Sequence, residues 1–131
     1  MFLKELNDSE KNAFICLSIH AANADGRFVE EEEKMINEYA NEMEISVPSE
    51  EQVMTIEESI NIFSKSDEHI KKVVLFETLG LLYSDGVFEK AEDKFIYDYA
   101  DKIGLQSDIV KEQIELLKEY LDIVSKIVNA M

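Results

Sequence analysis

The sequence predicts an all-α protein of about six helices. Only four glycines and one proline interrupt its 131 residues, and apolar residues recur at helical spacing almost throughout. No stretch alternates between apolar and polar residues for more than a few positions, as a half-buried strand would. The length fits one domain over residues 1–131, and a hydrophobic content of 46% excludes wholesale disorder.

The first half is predicted to form three helices. A capping box of Asn7 and Glu10 opens the first helix, over 8–24. The second helix covers 29–44, and the third starts after Pro48 with Ser49 as its N-cap. The apolar stripes that should face the core contain Phe14, Leu17, Ala21, Met35, Ile36, Tyr39, Ala40, Met43, Val53, Ile56, Ile60 and Phe63.

The second half is predicted to follow the same plan. Ser66-Asp67 opens a fourth helix, and a fifth runs over about 88–103, with Gly104 as a left-handed cap at its end. Ser107 is expected to cap the C-terminal helix, over 107–129. The apolar faces contain Val73, Val74, Phe76, Leu79, Leu82, Phe95, Ile96, Tyr99, Ala100, Ile103, Val110, Ile114, Leu117, Leu121, Val124 and Val128.

The two halves are related by an offset of 60 residues. Aligning Asp25-Gly26 with Asp85-Gly86 gives eight identities in 16 positions, where chance would give about one. The chain is therefore interpreted as a pseudo-symmetric pair of helical hairpins, with pseudo-repeats over about 8–45 and 67–105.

Each repeat contains the pattern Asp-Gly-x-Phe-x-x-x-Glu, which shares positions with the EF-hand calcium loop. With Gly26 at loop position 6, Asp25 and Glu32 occupy positions 5 and 12. The first unit lacks an oxygen ligand at position 1, and the second has Leu81 and Tyr83 at positions 1 and 3. At least half of the ligand set is missing, which excludes a standard EF-hand.

Two interpretations of these turns stay open. In the first, Asp25 and Asp85 bond to turn N–H groups, while Glu32 and Glu92 accept from the loop backbone at the third position of each following helix. In the second, the same four carboxylates hold a divalent cation, completed by loop carbonyls and water. Two carboxylates and water are typical of magnesium or weak calcium sites.

The duplicated unit resembles the TerB-like family, named for a tellurite-resistance protein. The resemblance lies in residues 21–32 (AANADGRFVEEE) and 84–92 (SDGVFEKAE), with Phe2-Leu3 and Phe14 near the start. It implies an all-helical, internally duplicated fold with an acidic cation site at the Asp and Glu positions, and a role in tellurite or stress resistance within membrane-associated complexes. The chain departs from the family at Val29 and Glu89, where members often have a serine N-cap.

The charge is concentrated in one part of the chain. Of the net charge of −16, residues 25–58 contribute −10, with twelve acids against Arg27 and Lys34. The four glutamates over 30–33 lie at a helix N-terminus, where carboxylates are favourable. The segment is a solvated face, a docking surface for a basic protein partner, or a region that attracts cations.

Composition disfavours several functional classes. The excess of 29 acids over 13 bases argues against binding nucleic acid or anionic membranes, and no apolar run is long enough to span a bilayer. Phosphate loops, nucleophile elbows and zinc-protease motifs are not found, so no enzymatic activity is expected. The single cysteine forms no internal disulfide, which favours a cytoplasmic protein.

A few polar residues are expected to be structural. Cys16 and His20 lie four residues apart in an apolar helix, where the thiol should be buried and inert. His20 is expected to be a structural histidine, with Asp25 as its candidate hydrogen-bond partner. Tyr39 and Tyr99 should be core residues with bonded hydroxyls. His69 is expected on the surface. Two hypotheses follow: a non-enzymatic TerB-like module that weakly binds calcium or magnesium at its turns, and an acidic interaction domain with purely structural turns.

Overall fold

The computed structural model describes residues 1–24, 29–84 and 90–131, without the side chains of 90–92. Short 3-10 turns lie at Leu3–Glu5 and Glu50–Gln52. The described parts contain six α-helices and no strand, which confirms the all-α prediction. These are α1 (Asp8–Ala22), α2 (Glu30–Met43), α3 (Ile56–Ser64), α4 (Glu68–Leu82), α5 (Lys90–Ile103) and α6 (Ser107–Asn129).

Side-chain caps fix where the helices begin. The Asn7 side chain accepts from the Glu10 backbone N–H at 2.8 Å, and the Glu10 carboxylate accepts from the Asn7 N–H at 2.9 Å, which confirms the predicted capping box. The Asp67 carboxylate accepts from the Ile70 N–H at 2.8 Å and opens α4 in the same way.

Left-handed residues end α2 and α5. Gly104 has φ 96°, as predicted, and Glu44 has φ 59°. At each end a backbone N–H reaches back five residues, from Ile45 to the Ala40 carbonyl at 3.0 Å and from Leu105 to the Ala100 carbonyl at 2.8 Å. This is the Schellman arrangement, which satisfies carbonyls that would otherwise lack a helical partner.

The helix bounds repeat along the chain. Both ends of α4 lie 60 residues after those of α1, and both ends of α5 lie 60 residues after those of α2. The caps follow the same offset, since Asn7 corresponds to Asp67 and Glu44 to Gly104. Helix α4 thus has the same length as α1, α5 has the same length as α2, and α2 and α5 end in the same way.

The helices α1 and α4 form the centre of the bundle. Both are buried on nearly all sides, and they pack against each other. Helices α2 and α3 pack on α1, α5 packs on α3 and α4, and α6 packs on α4 and α5. A helix that is apolar all round belongs in the core, whereas the outer helices each carry one apolar stripe.

Two buried tyrosines join the layers through their hydroxyls. Tyr39 donates to the Glu77 carbonyl at 2.8 Å, linking α2 to α4. The Tyr99 hydroxyl lies 2.8 Å from the Ser59 hydroxyl, which in turn donates to the Ala13 carbonyl at 3.3 Å and links α5, α3 and α1. Both tyrosines are therefore core residues with bonded hydroxyls, as predicted.

Several predicted boundaries are wrong by small amounts. Helix α1 ends at Ala22 rather than at 24, and α2 covers Glu30–Met43 rather than 29–44. Ser107 is the first residue of α6 and not its cap, because the extended residue is Gln106, with φ −77° and ψ 154°. The predicted start of the fifth helix at 88 lies outside the described residues.

The predicted start of α3 at Ser49 is also wrong. Glu50–Gln52 form only a 3-10 turn, Val53 is extended, and Thr55 caps the α-helix by accepting from the Glu58 N–H at 3.2 Å. The backbone N–H and carbonyl of Met54 bond to side chains of α1 instead of to helical neighbours. A helix therefore cannot pass through this residue.

Candidate functional site

Only one of the four predicted ligand carboxylates has a described side chain. Asp25 and Asp85 lie outside the described residues, and Glu92 lies in α5 with its side chain undescribed. Glu32 lies in the first turn of α2, 6% exposed, and its Oε1 accepts from the Val29 N–H at 3.4 Å. This geometry is that of a capping carboxylate, as the structural interpretation of the turn expects.

The described residues contain no group of three or more His, Cys, Asp or Glu side chains that could hold a metal ion. A cation site that includes Asp25 or Asp85 stays a prediction, because those residues are outside this search. In the described ranges, no helix is both long enough and apolar enough to cross a bilayer.

A groove lies at the C-terminal end of α1. It is bounded by the C-terminal end of α1, by α2 and by the segment 47–55, and its volume is about 700 Å³. This is within the range of about 300–1,000 Å³ that is usual for ligand sites. Six apolar and six polar residues line it, and its exposed surface is more apolar than polar. They are Ile19, His20, Asn23, Glu33, Ile36, Asn37, Val47, Pro48, Glu50, Val53, Met54 and Thr55.

Two side chains of α1 hold the outer wall of this groove in place. His20 Nε2 lies 2.8 Å from the Met54 carbonyl oxygen, and Cys16 Sγ accepts from the Met54 N–H at 3.4 Å. A carbonyl oxygen only accepts, so the proton of the imidazole is on Nε2 in this contact. The partner of His20 is thus Met54, and the predicted contact with Asp25 lies outside the described residues.

Cys16 is a structural thiol in this position. Its side chain is completely buried and forms no disulfide. Burial raises the pKa of the Cys16 thiol, while the hydrogen bond from the Met54 N–H acts in the opposite direction. A thiol that is buried and protonated is a poor nucleophile, as expected from the sequence.

Among the described residues that line the groove there are two carboxylates and no lysine or arginine. Glu33 on α2 and Glu50 on the 3-10 turn are both exposed at its edge. They belong to the acidic segment 25–58, whose charge is −10, whereas the corresponding segment 85–118 has nine acids, five bases and a charge of −4. Glu42 of the same segment is engaged in the fold, because its carboxylate accepts from the Leu3 N–H at 2.9 Å.

Sequence reasoning did not identify this groove. In its apolar wall, Val47 and Pro48 lie in the connection before the predicted third helix, and the helical spacing assigns Val53 to the buried stripe of that helix. The sequence feature that could have indicated the groove is the occurrence of apolar residues within a segment rich in Ser and Glu. His69 is on the surface, as predicted, and its Nε2 lies 3.1 Å from a Glu5 carboxylate oxygen.

A scan of protein-family models found no match to the chain, and no curated protein or solved structure is significantly similar to it.

Proposed function

We propose that this protein is a non-enzymatic interaction module whose groove binds a short basic segment of a partner protein. The observation that carries the proposal is the combination of an apolar lining with Glu33 and Glu50 at the edge of the groove. A cytoplasmic setting is part of the proposal, since the single cysteine is a buried free thiol.

The lining favours an extended peptide in which apolar and basic residues alternate. Successive side chains of an extended chain point to opposite sides. One set can enter the apolar space beside Ile36 and Val53, while lysines or arginines of the other set remain near the two carboxylates. The acidic segment 25–58 would attract such a partner over a longer distance and favour its association.

A hexapeptide of alternating lysine and leucine tests this proposal. We expect it to shift the amide resonances of Ile36, Asn37 and Val53 in a ¹⁵N-labelled protein. The variant Glu33→Gln/Glu50→Gln should bind it about three- to tenfold more weakly, as expected for two exposed ion pairs. A hexapeptide of alternating glutamate and leucine should not bind.

The matched control is Glu57→Gln/Glu58→Gln, which removes the same charge from α3 at positions that do not line the groove. Its affinity should stay within about twofold of the wild-type value if the groove is the site. An equal loss in both variants would mean that the peptide recognises only net charge, and the proposal would be wrong.

The second candidate is a TerB-like module that weakly binds calcium or magnesium at its Asp-Gly turns. Its support is the shared 60-residue offset of helix bounds and caps, which fits an internally duplicated TerB-like bundle, and the position of Glu32 directly after the first turn. The site would use Asp25 with Glu32 and Asp85 with Glu92. On this proposal the protein acts in a stress- or tellurite-related assembly.

Calorimetry with calcium and magnesium tests the second candidate. Wild-type protein should bind with an affinity in roughly the millimolar range, and Asp25→Asn/Asp85→Asn should abolish the heat of binding. Asp98→Asn/Asp101→Asn, which removes two acids from the middle and end of α5, is the control. No heat with wild-type protein would contradict the cation site and leave the groove unaffected.

A further inference from the structure

Helix α6 packs on the bundle along only one of its apolar faces. Its 23 residues give a length of about 35 Å. Val110 and Leu117 are buried against the bundle, and Ile114 and Leu121 are partly buried. This face accounts for the contacts of α6 with α4 and α5.

A second apolar stripe on α6 faces solvent. Leu116, Tyr120, Ile123 and Ile127 follow one another at spacings of four, three and four residues, which places them on one side of the helix. All four are about half exposed, between 47% and 55%. After Leu121 the bundle-facing positions are exposed as well, since Val124 and Val128 are 37% and 62% accessible. The last turns of α6 therefore extend beyond the bundle.

The stripe continues into a small apolar groove at its N-terminal end. The groove has a volume of about 240 Å³ and is lined by Phe2, Val73, Phe76, Gln113 and the side chains of His69 and Lys72. Gln113 lies one helical turn before Leu116, and its Nε2 donates to the Lys72 carbonyl at 3.0 Å. Stripe and groove thus form one continuous apolar surface.

We propose that this surface binds a second copy of the chain, with the two α6 helices antiparallel. In the register that places Tyr120 opposite Ile123 of the second copy, Leu116 lies opposite Ile127 of that copy. Residues 127–131 of the second copy then lie beside Gln113 and the Phe2 groove. Each copy would cover the projecting end of the other, and both would contribute the same surface, as a twofold interface requires.

The charges beside the stripe are self-complementary in this arrangement. Glu119 and Lys126 flank the stripe on the same side, seven residues apart. The antiparallel register brings Glu119 of one copy next to Lys126 of the other, and the twofold axis repeats the pair. Residues 116–131 contain two acids and two bases, so the copies would meet at a neutral part of a chain whose net charge is −16.

The exposed apolar area is large enough for a dimer of moderate affinity. The four stripe residues together with Val124 and Val128 present roughly 600 Å² of accessible surface, and Phe2 adds to this. Typical monomers have a largest patch of about 300–600 Å², and a standard interface buries about 800 Å² on each partner. An anionic membrane fits less well, because α6 carries five acids against three lysines.

Analytical ultracentrifugation of the full chain tests the proposal. Wild-type protein should show a reversible monomer–dimer equilibrium below about 500 μM. Ile123→Glu should weaken the dimer by about 100-fold, as loss of a central contact does. Ser125→Glu, which adds the same charge to the polar side of α6, should leave the equilibrium unchanged. Thermal unfolding followed by circular dichroism checks that both variants fold.

A charge exchange tests the antiparallel register. Glu119→Lys and Lys126→Glu should each weaken the dimer by about three- to tenfold, and the double variant should restore it. A wild-type chain that stays monomeric up to about 500 μM would overturn the proposal. Equal effects of Ile123→Glu and Ser125→Glu would also overturn it. Sedimentation of wild-type protein with phosphatidylserine vesicles, lost in Ile123→Glu, would overturn it in favour of a lipid surface.

Discussion

The hydroxyl of Tyr39 provides a sharp test of how the two halves of the bundle are joined. Tyr39 is 7% exposed, its ring centroid lies 5.3 Å from that of Phe14, and its hydroxyl donates to the Glu77 carbonyl of α4. Tyr39→Phe removes the hydroxyl and leaves the aromatic packing in place. The effect on stability is therefore that of one buried hydrogen bond.

The expected loss is about 1 kcal/mol of unfolding free energy, since the net contribution of one hydrogen bond to stability is about 0.5–1.5 kcal/mol. Glu77 lies inside α4, so its carbonyl keeps a helical N–H partner and is not left without a hydrogen bond. Tyr99→Phe should cost less, about 0.5 kcal/mol, because the Ser59 hydroxyl keeps the Ala13 carbonyl as its acceptor.

Urea denaturation followed by circular dichroism measures both losses. Tyr120→Phe is the matched control at protein concentrations far below those of the proposed dimer, because in the single chain the Tyr120 side chain is 47% exposed and its hydroxyl can bond to water. It should change the unfolding free energy by less than about 0.3 kcal/mol. If Tyr39→Phe were as stable as the control, the contact between Tyr39 and the Glu77 carbonyl would not join α2 to α4 in solution.

Three further predictions follow from the buried and capping groups. Burial is the largest cause that raises the pKa of Tyr39 and of Tyr99 above 10.0, so the unfolded chain loses these protons first. The free energy of unfolding should therefore fall as pH rises above about 10, by up to about 1.4 kcal/mol per pH unit for each tyrosine. In urea denaturation at about pH 9 to 11, Tyr39→Phe should show a shallower fall than the wild-type protein. Asn7→Ala and Asp67→Ala should each cost about 1 kcal/mol in the same assay, because each removes one N-cap acceptor; a large loss at only one of them would show that the two caps are not equivalent. Cys16 should react with a thiol reagent at neutral pH only after urea unfolding, because the thiol is buried with a raised pKa, and rapid reaction of the native protein would contradict its burial.

Helix positions could be predicted because their signals are local. The capping box at Asn7, the N-cap at Asp67 and the left-handed Gly104 each depend on residues within one turn. The shared stripe positions Tyr39 and Tyr99 are buried, as their spacing indicates. The role of such a residue can be predicted without knowing how the rest of the chain folds.

The groove could not be predicted because it depends on contacts between distant residues. Met54 lies 34 residues after His20 and 38 after Cys16, and no pattern near Met54 indicates that its backbone bonds to them. Because of these contacts, α3 begins at Ile56 and not after Ser49, where the local sequence predicts its start. The roles of Asp25 and Asp85 remain predictions, since both lie outside the described residues.

The differences between the two halves explain why this groove is larger than its counterpart in the second half. That counterpart has a volume of about 270 Å³ and is lined by Tyr83, Asp93, Tyr97, Lys111, Ile114, Glu115 and Lys118. The residues that correspond to His20 and Cys16 are Gly80 and Phe76, which have no side-chain hydrogen-bonding group for a passing backbone.

After α2, two α1 side chains take the backbone groups of Met54, and the segment 47–55 stays irregular and encloses apolar space. After α5, the chain enters α6 at Ser107, and its backbone N–H and carbonyl groups form hydrogen bonds within that helix. The shared positions thus account for the scaffold. The positions at which the halves differ place the acidic groove in the first half and the long apolar helix in the second.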